Sequence, residues 1–169
     1  MANIPREFAG AAAWHAHGVT GKGVVVAVID TGVYPHEDLT LIDGWAIDGE
    51  TPTNDANAYG HGTHVAGIAA GAVYGIAPGA QVLPVKITKG ANGTTDSSNL
   101  IAGLRYVRAW AAEHPQQRVV VNISFSGTDH PSIATEIDAL VADNVPVVVA
   151  ACNDGSERSP LAEYESPIV

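Results

Sequence analysis

Cysteine is almost missing: Cys152 stands alone in 169 residues. One thiol makes no intrachain disulfide, which excludes the disulfide-stapled scaffolds. Basic residues are scarce, 8 Lys and Arg against 18 Asp and Glu, for a net charge of −10. So acidic a chain is poorly suited to neutralising a phosphate backbone, and no nucleic-acid partner is expected. No apolar run approaches the roughly 20 residues of a membrane helix, so no membrane partner is expected either. The longest such run, Val145 to Cys152, fits a buried strand. Met1-Ala2-Asn3-Ile4-Pro5-Arg6-Glu7 lacks the apolar core of a signal peptide, which leaves the compartment open. Disorder is excluded as well, because 46% of the residues are hydrophobic. The length suits one domain, or a large part of one.

What is present is glycine, 18 residues, punctuating short valine-rich runs. Val24 to Ile29, Val119 to Val121 and Val145 to Ala151 are continuous rather than alternating. Runs of this kind predict strands buried on both faces, as in a parallel sheet. Val82 to Ile87 is a fourth candidate, with Pro84 arguing against a central place in the sheet. Leu100, Ile101, Leu104, Val107 and Ala111 recur at helical spacing, with Asp96, Ser97 and Ser98 available as caps. Ile133, Ile137, Leu140 and Val141 form a second helix, entered through Asp129 and Pro131. A third starts at His61 and continues through Val65, Ala66, Ile68 and Ala69. Strand and helix alternate, which predicts an α/β fold with a mostly parallel sheet. In such sheets ligands bind beyond the carboxyl ends of the strands.

Three places at those ends carry candidate chemistry. Ile29-Asp30-Thr31-Gly32 closes the first buried run with a carboxylate, which must be paired or serve the following turn as an acceptor. Tyr59-Gly60-His61-Gly62-Thr63-His64 opens a helix, placing an imidazole in its first turn between two glycines. The positive end of the helix dipole favours a neutral base there, and a nearby carboxylate would fix its tautomer. Asp30 and His61 thus make a coherent acid–base pair. A metal site made of Asp30, His61 and His64 is the competing reading, though the His-Gly-Thr-His spacing lacks the acidic residue of the helical zinc-protease motif. His15, His17, His36, His114 and His130 read as solvent-facing or local turn residues. At Ala150-Ala151-Cys152-Asn153 the last strand ends in an amide, either a turn former or a donor to a developing oxyanion.

Taken together, Val26-Ala27-Val28-Ile29-Asp30-Thr31-Gly32-Val33, His61-Gly62-Thr63-His64-Val65-Ala66-Gly67-Ile68 and Val147-Val148-Val149-Ala150-Ala151-Cys152-Asn153 resemble the subtilisin-like serine proteases, the subtilases. Their order, aspartate then histidine then asparagine, is the family's. His36-Glu37-Asp38-Leu39, Gly75-Ile76-Ala77-Pro78 and Asn122-Ile123-Ser124-Phe125-Ser126-Gly127 are similar to family segments as well. The resemblance spans essentially residues 1–169. It implies a three-layer subtilisin-like fold and hydrolysis of peptide bonds by an Asp/His/Ser triad. Asp30 would orient His61, His61 would act as general base and acid, and Asn153 would supply the oxyanion donor. Thr94, Thr95 and Asp96 would face Ser124, Phe125, Ser126 and Gly127 across an extended polypeptide substrate. Ala151 and Cys152 would line the pocket for the residue before the cut.

The chain departs from that pattern in three respects. It contains no Gly-Thr-Ser-Met-Ala type motif, in which the family carries its nucleophile. Glu163-Tyr164-Glu165-Ser166-Pro167-Ile168-Val169 resembles the start of the strand leading towards that serine, so a domain truncated before the nucleophile segment is expected. The expected function is that of a subtilisin-type endopeptidase whose serine lies in a further segment or second chain. A non-catalytic peptide-binding remnant is the alternative. Cys152 stands where the family usually has glycine, which should narrow the specificity pocket. The chain's own thiol is a weaker candidate for a replacement nucleophile. Finally, Gly71-Ala72-Val73-Tyr74 is short where some subtilases carry a calcium loop. No cofactor is expected to be required; the resemblance allows calcium in a complete enzyme, but the short loop does not support it here and Asp38 alone is weak evidence for it.

Overall fold

The structure, a computed structural model, describes residues 9–55, 60–90, 93–126, 130–153 and 159–169. Gly127 and Asp129, both assigned roles from the sequence, lie outside the described residues. Five strands form one sheet: β1 (Val24–Asp30), β2 (Trp45–Ala46), β3 (Gln81–Lys86), β4 (Arg118–Ile123) and β5 (Val147–Val149). Their spatial order is β2-β3-β1-β4-β5, and every pairing is parallel. The helices are α1 (Ala11–Ala16), α2 (His61–Ala70), α3 (Ser97–Glu113) and α4 (Pro131–Ala142), followed by a 3-10 turn at Pro160–Glu163.

The two-residue period of β1 sorts its side chains onto two faces. Val25, Ala27 and Ile29 enter the larger core with Leu100, Leu104 and Val107 of α3 and Ile133, Ile137 and Leu140 of α4. Val26 and Val28 enter a smaller core with Ala66 and Ala70 of α2. From Val25 to Asp30 every residue of β1 is buried, as its continuous apolar run predicts. The same alternation places Asp30, in step with Val26 and Val28, on the face covered by α2. The fold is therefore three-layered, α3 and α4 on one side of the sheet and α2 on the other.

Pro84 occupies an inner strand, against the sequence expectation. The reason lies in which way its missing N–H would point. Val82, in phase with Pro84, directs its N–H and C=O away from β1, to Thr40 and Ile42. The absent donor thus falls on the side of the irregular segment 40–44, where Gly44 packs against the Pro84 carbonyl. The ladder to β1 keeps all its bonds. A second difference is at β5, which is three residues long. Pro146 still accepts from Val121 N at 2.8 Å, and Ala150 donates to Ile123 O at 3.0 Å. The strand's bonding therefore reaches beyond its formal ends.

Helix starts follow local chemistry. Asp96 caps α3 by accepting from Asn99 N at 2.9 Å. α4 has Pro131 in its first turn as expected, but its cap is His130, whose Nδ1 accepts from Ser132 N at 3.2 Å. Among the other histidines, His36 and His114 bond locally, to Asp38 N and Trp110 O. His15 does not: its Nε2 bonds Ile76 O at 2.8 Å across 61 residues, tying α1 to the loop after α2. No helix among the described residues is long and apolar enough to cross a membrane.

Candidate active site

β1, β4 and β5 run parallel, so Asp30, the segment after Ile123 and the segment after Val149 all leave the same edge of the sheet. α2 begins at that edge. His61, its first residue, donates from Nδ1 to Asp30 Oδ1 at 2.8 Å and lies 3.0 Å from Oδ2. Asp30 is 1% exposed and the His61 side chain 47%. A carboxylate so deeply buried requires partners, and Asp30 Oδ1 also accepts from Thr31 N at 2.7 Å. An ionised carboxylate only accepts, so facing one the Nδ1 is the donor, and a neutral imidazole so held keeps its lone pair on Nε2. That is the tautomer of a general base.

Gly62 permits this approach. A Cβ there would sit 2.1 Å from Gly32 O and 3.1 Å from the Asp30 Cβ. Any side chain would push the helix off the strand and part the pair. Gly60, at φ +54°, turns the chain into α2 but offers no side chain to cap it. The helix's first donors go instead to distant residues. Gly62 N donates to Thr31 Oγ1 at 2.8 Å, and Thr63 N donates to Asp55 Oδ2 at 2.9 Å. Asp55 also accepts from the hydroxyls of Thr31 and Thr63.

Lys86, the register neighbour of Asp30 on β3, is 2% exposed. Its Nζ donates to Thr31 O at 2.6 Å and lies 3.7 Å from Glu50 Oε2. Sequence reasoning passed over Thr31, Asp55 and Lys86. Only Lys86 left a readable sign, a cation inside an apolar run. Asp55 reaches the site through space and has no periodic relation to His61.

Of the candidate substrate residues, Thr95, Asp96, Phe125 and Ser126 line a cleft of about 300 Å³, together with Ser97, Leu100 and Ile133. Thr95 Oγ1 donates to Ile87 O at 2.6 Å. Thr94 pairs with Lys89 in an antiparallel bridge. Asp96 is engaged as the cap of α3, where the Ser98 hydroxyl and the Asn99 N–H hold its carboxyl below the ordinary value of 3.8. Ser124 Oγ accepts from Asn122 Nδ2 at 2.8 Å. Across the sheet edge, Ala151 and Asn153 are exposed beyond β5, with Cys152 half-buried between them. Ala151 O accepts from Ser159 N at 2.9 Å.

Two further expectations meet the geometry here. His64, one turn along α2, is exposed, and among the described residues no group of three His, Cys, Asp or Glu side chains is arranged to hold a metal. Asp38, the lone acidic candidate at the short loop, accepts from Val73 N at 2.7 Å, so it braces the turn after α2.

A buried strand-end carboxylate thus holds a first-turn histidine at the carboxyl edge of a parallel sheet. Residues 21–168 match the subtilase family, and the chain belongs to it. Subtilisin Savinase of Lederbergia lenta is 39% identical over 86% of this chain and 54% of its own length. An extracellular serine proteinase of Thermus sp. (strain Rt41A) is 35% identical over 85% of this chain and 34% of its own. Among solved structures, Sphericase superposes with a TM-score of 0.71 at 30% identity, covering 82% of this chain and 48% of that one. A cold adapted subtilisin-like serine proteinase gives 0.68 at 30%, covering 79% and 48%. The chain thus spans between about a third and a half of the length of these relatives.

Proposed function

We propose that this chain supplies the aspartate, histidine and oxyanion-donor part of a subtilisin-type serine endopeptidase, with the nucleophilic serine contributed by residues outside it. The hydrogen bond from His61 Nδ1 to the buried Asp30 carries this reading. Nε2 is left to take the proton from a serine hydroxyl as its Oγ forms a bond to the scissile carbonyl carbon. The same proton then passes to the leaving amine as the C–N bond breaks. Asn153, exposed at the strand edge, would donate its amide N–H to the oxyanion of the tetrahedral intermediate, a contact worth about 10²–10³ in turnover in subtilisin itself.

The substrate is an extended polypeptide. It would lie between residues 94–96 and 124–127 and bond through its backbone, which makes affinity tolerant of sequence. Leu100, Phe125 and Ile133 give the cleft an apolar floor suited to an aliphatic or aromatic side chain. Ala151 and Cys152 would border the pocket for the residue before the cut. Cys152, bulkier than glycine, favours small residues there.

An active-site-directed fluorophosphonate tests the whole scheme. The 169-residue chain alone should take up no stoichiometric label, because no Gly-Thr-Ser motif occurs in it. Combined with the remaining part of a subtilase domain, it should become labelled at the added serine and cleave peptides. Asp30→Asn in that complete enzyme should lower kcat about 10⁴-fold, since the imidazole tautomer is no longer fixed. Rapid labelling of the lone chain, or full activity of Asp30→Asn, would overturn the assignment. Peptide binding without labelling in the completed protein would favour the binding-only reading.

A further inference from the structure

We propose that Asp55 is a positioning residue, clamping strand β1 and helix α2 so that Asp30 and His61 stay in register. This rests on the Asp30–His61 pair being the catalytic one. Asp55 is 7% exposed, and its two carboxylate oxygens serve different elements. Oδ1 accepts from Thr31 Oγ1 at 2.7 Å, on the residue after Asp30. Oδ2 accepts from Thr63 N at 2.9 Å and from the Thr63 hydroxyl, two residues after His61. The Thr31 hydroxyl closes the circuit by accepting from Gly62 N at 2.8 Å.

Three points make this more than generic packing. First, the helix has no cap of its own, because Gly60 lacks a side chain, so orphan first-turn donors must be satisfied from elsewhere. A buried anion at the helix N-terminus is the favoured partner. Second, the Thr31 hydroxyl has one proton. It is given to Asp55, which directs the oxygen lone pairs towards Gly62 N and sets the sense of the whole chain of bonds. Third, the clamp grips each catalytic element within two residues of the side chain it serves. A slip of about 1 Å between β1 and α2 would take the 2.8 Å contact out of bonding range, and displacements of that size cost about 10²-fold in rate.

Thr31→Val separates positioning from charge, since it removes only the hydroxyl and keeps both carboxylates. The observable is the low-field NMR resonance of the His61 Nδ1 proton in the full chain, identified by its loss in His61→Ala. We expect Thr31→Val and Asp55→Asn to speed exchange of this proton with solvent at least tenfold, and Thr31→Ser to leave it as in the unsubstituted chain. If Thr31→Val fails to fold, as judged by near-ultraviolet circular dichroism, Asp55→Asn carries the decision. Asn offers one acceptor oxygen, so it cannot accept from both elements, and its NH2 opposes the donor it faces. Unchanged exchange in Asp55→Asn would overturn the proposal, as would Thr31→Ser exchanging as fast as Thr31→Val. A missing resonance in the unsubstituted chain would instead refute the catalytic pair. The readout needs no nucleophile, so it is independent of whether proteolysis is ever reconstituted.

Discussion

Cys152 holds a φ of +95°, a backbone shape that suits glycine and strains any residue with a Cβ. Subtilases usually carry glycine there, so the sequence and the backbone point to the same oddity from opposite directions. Relief of that strain should outweigh glycine's extra entropy in the unfolded chain. Cys152→Gly is therefore expected to stabilise the chain by up to about 1 kcal/mol, measured by urea denaturation. An unchanged or lowered midpoint would mean that the thiol makes compensating contacts. At this scale the sequence was readable where chemistry is carried by local motifs. Asp30 and His61 sit in short, distinctive strings, and the structure joins them. Asp55 and Thr31 were invisible because their bonds join residues 24 and 31 positions apart. No local pattern encodes such a link.

Among the elements, α3 offers the clearest pH test. Asp96 caps it, and the Ser98 hydroxyl with the Asn99 N–H holds the carboxyl below its ordinary 3.8. A depressed acid contributes stability above its unfolded value, and that contribution is lost as pH falls through the folded one. The melting temperatures of the parent chain and Asp96→Ala should therefore differ near neutral pH and converge as pH falls well below the ordinary 3.8. A constant gap across that range would assign the effect to something other than the cap. Element type was legible wherever apolar periodicity was long, as in α3 and β1. Trp45–Ala46 was not, because two residues present no period. Pro84 misled for a different reason. The rule against proline in inner strands assumes that both edges need a donor, and here one edge meets an irregular segment.

For the whole molecule, the excess of acid is the dominant long-range term. A net charge of −10 on a compact body repels itself. The surface pair Arg108–Asp143 offsets little of this because both partners are exposed, and in Arg105–Glu136 the guanidinium side is 65% exposed. Raising NaCl to about 0.5 M shortens the screening length to about 4 Å. We expect the melting temperature to rise, and a fall would mean that attractive pairs outweigh the repulsion. The parallel α/β sheet and the edge that carries the candidate site were legible at this scale, since alternating runs of strand and helix leave few topologies, and the three layers followed from the resemblance to subtilases. The strand order was less so, because nothing local says that β1 lies between β3 and β4.

That order has a consequence for biosynthesis. The strand bearing Asp30 is made well before either of its partners: Val25 pairs with Gln81 on one side and Val119 on the other. While the ribosome adds the residues in between, an almost wholly apolar strand waits with both edges bare. Such a segment invites association with other nascent chains, and long-range parallel pairing is slow to form. The sheet that buries Asp30 so completely in the finished fold thus leaves the strand that carries it exposed during synthesis until residues 81–86 and 118–123 have followed.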